Sequence, residues 1–257
     1  MKRILALTLT LIILLLTSCV SWWGNEVDDN GPYKGMTAKQ IFDQSQEAIA
    51  KKEYSAAVKR LEALETMYPF SEYAEKAQLD LIHAYYQKED YPSAAATAER
   101  FIHLYPRAKN VDYAYYMKAL ANFQQNRGTF ANILPLDESW REPGTQAQAY
   151  ADFAVLVQRF PESKYKNNAL QRMIYLRNMF AQRELNTANY YFERNRYVAA
   201  AERASFLIKN YPQAPSVQPA LIILYRANKA LGLHKAADDA LQVYQATYHS
   251  LPTGITS

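Results

Sequence analysis

Side chains able to do chemistry are few in this chain and badly spaced for it. Four histidines, His83, His103, His234 and His249, stand far apart with no His-Glu-x-x-His run or other ligand spacing, so the usual zinc arrangements are not expected. Asp80 lies three residues before His83 and so on the same helix face, but a carboxylate and an imidazole alone make no metal cage. No Gly-x-Gly-x-x-Gly or Gly-x-x-x-x-Gly-Lys segment occurs, and 7 scattered glycines cannot build a loop that cradles phosphate. A Gly-x-Ser-x-Gly nucleophile elbow is absent as well. Counting alone leaves paired-carboxylate hydrolysis open, with 25 acidic residues, yet nothing marks a separate catalytic domain. The expectation is a protein that is not an enzyme and uses no cofactor and no metal.

Aromatic side chains point to binding instead. Of 21 tyrosines, Tyr68, Tyr105 and Tyr211 precede prolines and Tyr85 sits at an inward repeat position, so these read as packing. His83, Tyr86, Tyr113 and Tyr116 fall where the inner helices of a repeat array would face a concave wall, with Lys76 and Lys118 nearby. Such a wall suits an extended or strand-like peptide carrying aromatic side chains. Plain contact between helices is the alternative for these four residues.

The elements that must carry these residues are helices in tandem. Ala, Leu, Gln, Glu, Lys and Arg dominate a chain that is 49% hydrophobic and 21% charged, a composition that costs little in helix interiors. Four segments end alike, LEALETMYP (61–69), ERFIHLYP (99–106), FAVLVQRFP (153–161) and ASFLIKNYP (204–212), each with an aromatic before its proline. Twelve residues before those prolines stand Ala57, Ala94, Ala149 and Ala200, and eight before them Leu61, Ala98, Phe153 and Ala204. Alanine lets two antiparallel helices approach, the residue four later shares its face, and proline ends the second helix. Thr37 and Gln40 form a capping-box signature at the first helix, and Ser71 is expected to cap the helix after the first joint. The unit resembles the 34-residue tetratricopeptide repeat. A fifth unit without a closing proline fits 217–249, with Ala236 and Ala240 at the small positions. Surplus length falls in RGTFANILPLDESWREPGT (127–145), a loop-like insert, and in 164–195, which has no breaker and reads as one long helix. The expected fold is all-α, a solenoid of about five helical hairpins with a concave face. Its domain spans 37–249, with halves 37–126 and 146–249 about the insert and a tail at 250–257.

The first residues read as targeting. Lys2 and Arg3 precede an apolar run of 13 residues, Ile4 to Leu16, too short to span a bilayer comfortably. Leu16-Thr17-Ser18-Cys19 looks like a bacterial lipobox, in which cleavage before the cysteine leaves its thiol to carry lipid, and Cys19 is the sole cysteine of the chain. Residues 1–18 are then a signal peptide. The 239 residues that follow can form no internal disulfide. Val20 in place of Asp resembles an outer-membrane address, and SWWGNEVDDNGPYKGM (21–36) reads as a tether, so 19–36 is the lipidated link. The formal charge of +4 is small and interleaved, and no nucleic-acid partner is expected.

At LEALETMYPFSEYAEKAQLDLIHAYYQKEDYPSAAATAERFIHLYP and the following NVDYAYYMKAL, the chain resembles the BamD family of lipoproteins, also called ComL or YfiO. LDESWREP (136–143) is similar to that family's D-x-S-x-R-D-P insert with Glu142 as the acid, and FPESKY (160–165) and YYFERNRYVAAAERA (190–204) match its later helices. The resemblance implies a lipid-anchored subunit of the outer-membrane β-barrel assembly machine on the periplasmic face. It implies a C-terminal half docked on a BamA-like barrel subunit and accessory lipoproteins. It implies an N-terminal half that receives the C-terminal signal of unfolded outer-membrane β-barrel proteins. By position, Arg203 matches the arginine that faces BamA, and Tyr68 and Phe70 lie in the YPF joint of the substrate-facing half. Ser71, Glu72 and Tyr73 depart from the Gly and Pro that often follow that joint. A periplasmic tetratricopeptide scaffold for peptidoglycan, division or DNA-uptake machinery is the alternative reading.

Overall fold

The computed structural model describes residues 31–125 and 144–252, so the signal segment, Cys19 and LDESWREP lie outside it. Ten α-helices and no strand occur among the described residues. They are α1 (Ala38–Ala50), α2 (Tyr54–Met67), α3 (Ala74–Gln87), α4 (Tyr91–Leu104), α5 (Val111–Gln125), α6 (Gly144–Arg159), α7 (Lys166–Glu193), α8 (Tyr197–Asn210), α9 (Val217–Ala230) and α10 (His234–Tyr248).

Two kinds of turn recur among the described links, each repeated with the same hydrogen bonds. Within a hairpin, a residue in the left-handed region stops the first helix: Lys52 (φ 60°), Glu89 (64°), Asn195 (59°) and Gly232 (74°). Its N–H bonds the carbonyl three residues back and the next N–H reaches five back, as in Lys52 to Ile49 (2.9 Å) and Glu53 to Ala48 (2.8 Å). This double bond satisfies helix-end carbonyls that would otherwise be orphaned. The same pair recurs at 89/90, 195/196 and 232/233.

Between hairpins the aromatic–proline joint takes over. Tyr68 N–H bonds Leu64, Ser71 N–H bonds the Tyr68 carbonyl and Ala74 N–H bonds the Ser71 carbonyl. An identical ladder follows Tyr105, Phe160 and Tyr211. Tyr68, Tyr105 and Tyr211 sit at φ −136°, −126° and −129°, outside the helical region from which the following proline excludes them. Ser71 therefore does not cap α3 with its side chain, because the joint closes through its carbonyl, and its hydroxyl oxygen is buried without a partner.

Every alanine and companion picked out by spacing is sealed from solvent: Ala57, Ala94, Ala149, Ala200, Leu61, Ala98, Phe153 and Ala204 are all 0% exposed. In the fifth hairpin the small position is Ala237, not Ala236, which faces solvent; Ala240 is buried as expected. Tyr248 takes the aromatic place there, and His249, in the left-handed region, replaces the proline.

Packing divides the chain inside α3, into a unit ending at Ala84 and one beginning at Tyr85. The first closes α1 and α2 around Ile41, Leu61, Leu64, Leu81 and Ile82. Thr37 caps α1 through the reciprocal bonds read from the sequence, 3.3 Å and 2.8 Å. The second unit packs α4 to α7 in succession and then α7 to α10. Uninterrupted over 28 residues, and so about 42 Å long, α7 supplies Ala169 and Leu176 to one cluster with Phe123 and Phe153. Its second half supplies Ala181, Leu185 and Ala188 to another with Leu207 and Leu221.

Candidate functional site

In the first unit the YPF joint divides its two aromatics sharply. Tyr68 is half-buried and its hydroxyl donates to the Met36 carbonyl at 2.6 Å, tying the chain before α1 to the joint. Phe70, two residues on, is 98% exposed. It stands in the turn between Tyr68 and Ser71, whose backbone bonds close the joint. A phenylalanine held wholly in water is costly relative to burial, by about 2 kcal/mol.

Nearby, Phe42 and Tyr73 stack at 5.1 Å, and the Lys76 ammonium lies 5.0 Å from the Phe42 ring. His83 of α3 meets Tyr54 edge-on at 6.1 Å. Asp80, on the same helix, takes a bond from the Gln46 amide at 2.8 Å. Burial pushes the Asp80 carboxyl above the usual carboxylate range, a rise that the Gln46 bond and then Lys76 and His83 oppose.

In the second unit the aromatics are knitted together. Tyr86 packs edge-on against Tyr91 (5.4 Å), and its hydroxyl accepts from Gln124 at 3.4 Å. Tyr116 lies flat on Tyr165, 4.6 Å and 13° apart, while Tyr113 leans on the same ring at 5.8 Å. The Tyr116 hydroxyl donates to Asn168, which also accepts from Arg172 Nε at 2.8 Å. Burial lifts the Tyr116 phenol, with Arg172 acting against it. The Arg172 guanidinium also stands 4.9 Å over the Phe123 ring, which is buried behind these tyrosines. Below it Lys118 joins α4 to α6, pairing with Glu99 and, at 3.2 Å, with Asp152. Asp152, its side chain only 8% exposed, also accepts from Asn122 (2.8 Å) and Gln148 (3.0 Å). Arg203 on α8 donates to Glu184 of α7 at 3.1 Å and remains 47% exposed.

Among the described residues, no group of three or more His, Cys, Asp or Glu side chains could hold a metal ion. The outer membrane lipoprotein family YfiO matches residues 34–243. The chain belongs to the YfiO family. It is 36% identical over 206 residues to the outer membrane protein assembly factor BamD of Vibrio cholerae, covering 80% of this chain and 86% of that one. With BamD of Neisseria meningitidis it shares 34% over 252 residues, covering 98% and 93%, and with that of Xylella fastidiosa 35% over 243, covering 95% and 81%. Among solved structures, a tetratricopeptide repeat protein from Parabacteroides merdae is similar at 12% identity, over 85% of this chain and 82% of its own, with a TM-score of 0.37.

In this YfiO chain the sequence-derived candidates fall on both units. Tyr68, Phe70 and His83 belong to the first, Tyr86, Tyr113 and Tyr116 to the second, and within the second unit Tyr113 and Tyr116 converge on Tyr165. Arg203 is already engaged by Glu184 rather than standing free. Sequence reading missed Tyr165, Asn168 and Arg172 as members of the aromatic face. A signal existed: Asn168 and Arg172 are four apart and Tyr165 follows a joint, so all three begin α7 on neighbouring turns.

Proposed function

We propose that this chain is an outer membrane protein assembly factor and a subunit of the β-barrel assembly machine. The observation that carries the reading is likeness to BamD proteins along nearly the full chain, 34% over 252 residues in one case. Lipid on Cys19 holds it at the periplasmic face of the outer membrane. Unfolded β-barrel proteins, whose terminal strands alternate apolar and polar side chains, are its cargo. Phe70 offers them a ring that the described residues leave 98% exposed, and the stacked Tyr113, Tyr116 and Tyr165 rings offer a face whose Tyr116 hydroxyl is bridged through Asn168 to Arg172. Contacts of this kind hold an extended chain loosely enough to be passed on.

The barrel subunit is received on α8. One guanidinium nitrogen of Arg203 is bonded to Glu184, which fixes the side chain and leaves the rest of its planar fork for a partner carboxylate. Tagged full-length protein extracted in mild detergent is expected to bring down a BamA-like barrel subunit in near-equimolar amount. Capture dominated by peptidoglycan enzymes or pilus proteins overturns the reading.

A further inference from the structure

A long groove lies between α8 and α10, floored by Leu221 and Leu224 of α9 and by Leu231, just past its end. Its volume is about 1020 Å³. The apolar side chains along it are not satisfied by the fold: Val198 is 59% exposed, Val243 49% and Phe206 45%. On a soluble protein such contiguous apolar exposure marks a contact surface. The groove shares no residue with the aromatic faces assigned to cargo, and it does not depend on that assignment.

Shape and charge identify the occupant. Each wall presents small residues on consecutive turns, Ala201 and Ser205 on α8 and Ala236 and Ala240 on α10. Residues four apart line up along a helix, so the two walls carry facing notches with larger apolar groups at their ends. Notches spaced by a helical turn receive the ridges of another helix, as in ridge-into-groove packing. An added β-strand has nothing to pair with here, because the walls and floor are helices whose backbone bonds are internal. Along the α8 wall Glu202 and Lys209 both border the groove, and neither has an ion-pair partner among the described residues. They are seven residues apart, about 10 Å along the axis. Complementing them takes one cation and one anion about two turns apart.

We infer that the α8–α10 groove docks an amphipathic helix of another polypeptide, with an apolar face flanked by a basic and an acidic residue seven positions apart. The helix would complete a three-sided bundle with α8 and α10 as its neighbours and α9 beneath it.

Three synthetic amphipathic helices with the same apolar face test this, one carrying Arg and Glu seven residues apart, one Arg and Arg, and one Glu and Glu. Fluorescence anisotropy with the full-length protein is expected to rank the mixed peptide first by roughly threefold, the scale of an exposed ion pair. Because a helix can lie in either direction, the like-charged pair is the proper control. Glu202→Lys should shift the preference to the Glu and Glu peptide. Val243→Asp, on an exposed side chain, should weaken all three by about tenfold while circular dichroism stays unchanged. Binding of none of the peptides by folded protein, or binding indifferent to Val243→Asp, overturns the proposal. So does self-association that Val243→Asp abolishes, which would make a second copy the occupant.

Discussion

The ring of Tyr116 on α5 lies flat on that of Tyr165 at the start of α7, with centroids 4.6 Å apart and planes at 13°. Forty-nine residues of sequence separate them, so this stack fastens the beginning of the long helix to the hairpin before it. Tyr165→Ala is expected to cost about 2 kcal/mol in urea unfolding, through lost ring area and stacking. Tyr165→Phe, which keeps the ring, should stay within about 0.5 kcal/mol.

Lys118 is the second fastener. Lys118→Met leaves the Asp152 carboxylate buried with only its two amide donors, at an expected cost of about 2 kcal/mol. Lys118, then His103, holds the Glu99 carboxyl below its ordinary range. A depressed folded-state pKa gives stability that is present above the unfolded value, roughly 4.3, and lost as pH falls through the folded one. Unfolding free energy should therefore drop with acid below about pH 4 in the native protein. The Lys118→Met protein should lose part of that slope, as read from urea midpoints between pH 3 and 7.

The YPF joint sets a bonded aromatic and an exposed one two residues apart. Tyr68→Phe removes the hydroxyl bond to the Met36 carbonyl and should cost about 1 kcal/mol with little effect on peptide capture. Phe70→Ala should leave the unfolding midpoint unchanged while weakening crosslinking to a C-terminal strand peptide of a barrel protein. Equal crosslinking of the two proteins would remove Phe70 from the cargo surface.

Hairpin turns offer a test of backbone strain. Glu89 occupies a left-handed conformation unfavourable for a residue with a Cβ, so Glu89→Gly is expected to stabilise by about 1 kcal/mol. Gly232→Ala should destabilise by a similar amount. No atom lies within 4 Å of where that Cβ would sit, so the cost is conformational alone and thermal melts report it without a steric component.

Arg203→Ala should reduce copurification of the barrel subunit by about tenfold while altering stability by less than about 1 kcal/mol, because its pair with Glu184 is half-exposed. Full copurification would remove Arg203 from that interface.

The sequence exposes whatever is periodic. Ala57, Ala94, Ala149 and Ala200 could be located by counting back from a proline, since one steric demand recurs at every hairpin. In the fifth hairpin no proline gives the count, and the register slipped by one to Ala236. Contacts between helices leave no such trace. The Arg203–Glu184 pair spans 19 residues and two helices, and the Tyr116–Tyr165 stack crosses the insert and the Phe160 joint. The groove was hidden for another reason: Val198, Phe206 and Val243 look like ordinary core positions of amphipathic helices, and only packing shows that no described element covers them.

Phe70 stands at the tip of a joint whose backbone bonds are complete without its side chain. Replacement there is nearly free for folding, whereas a change at Tyr68 loosens the turn. The side chain at this tip can therefore change, one residue at a time, without rebuilding the scaffold beneath it.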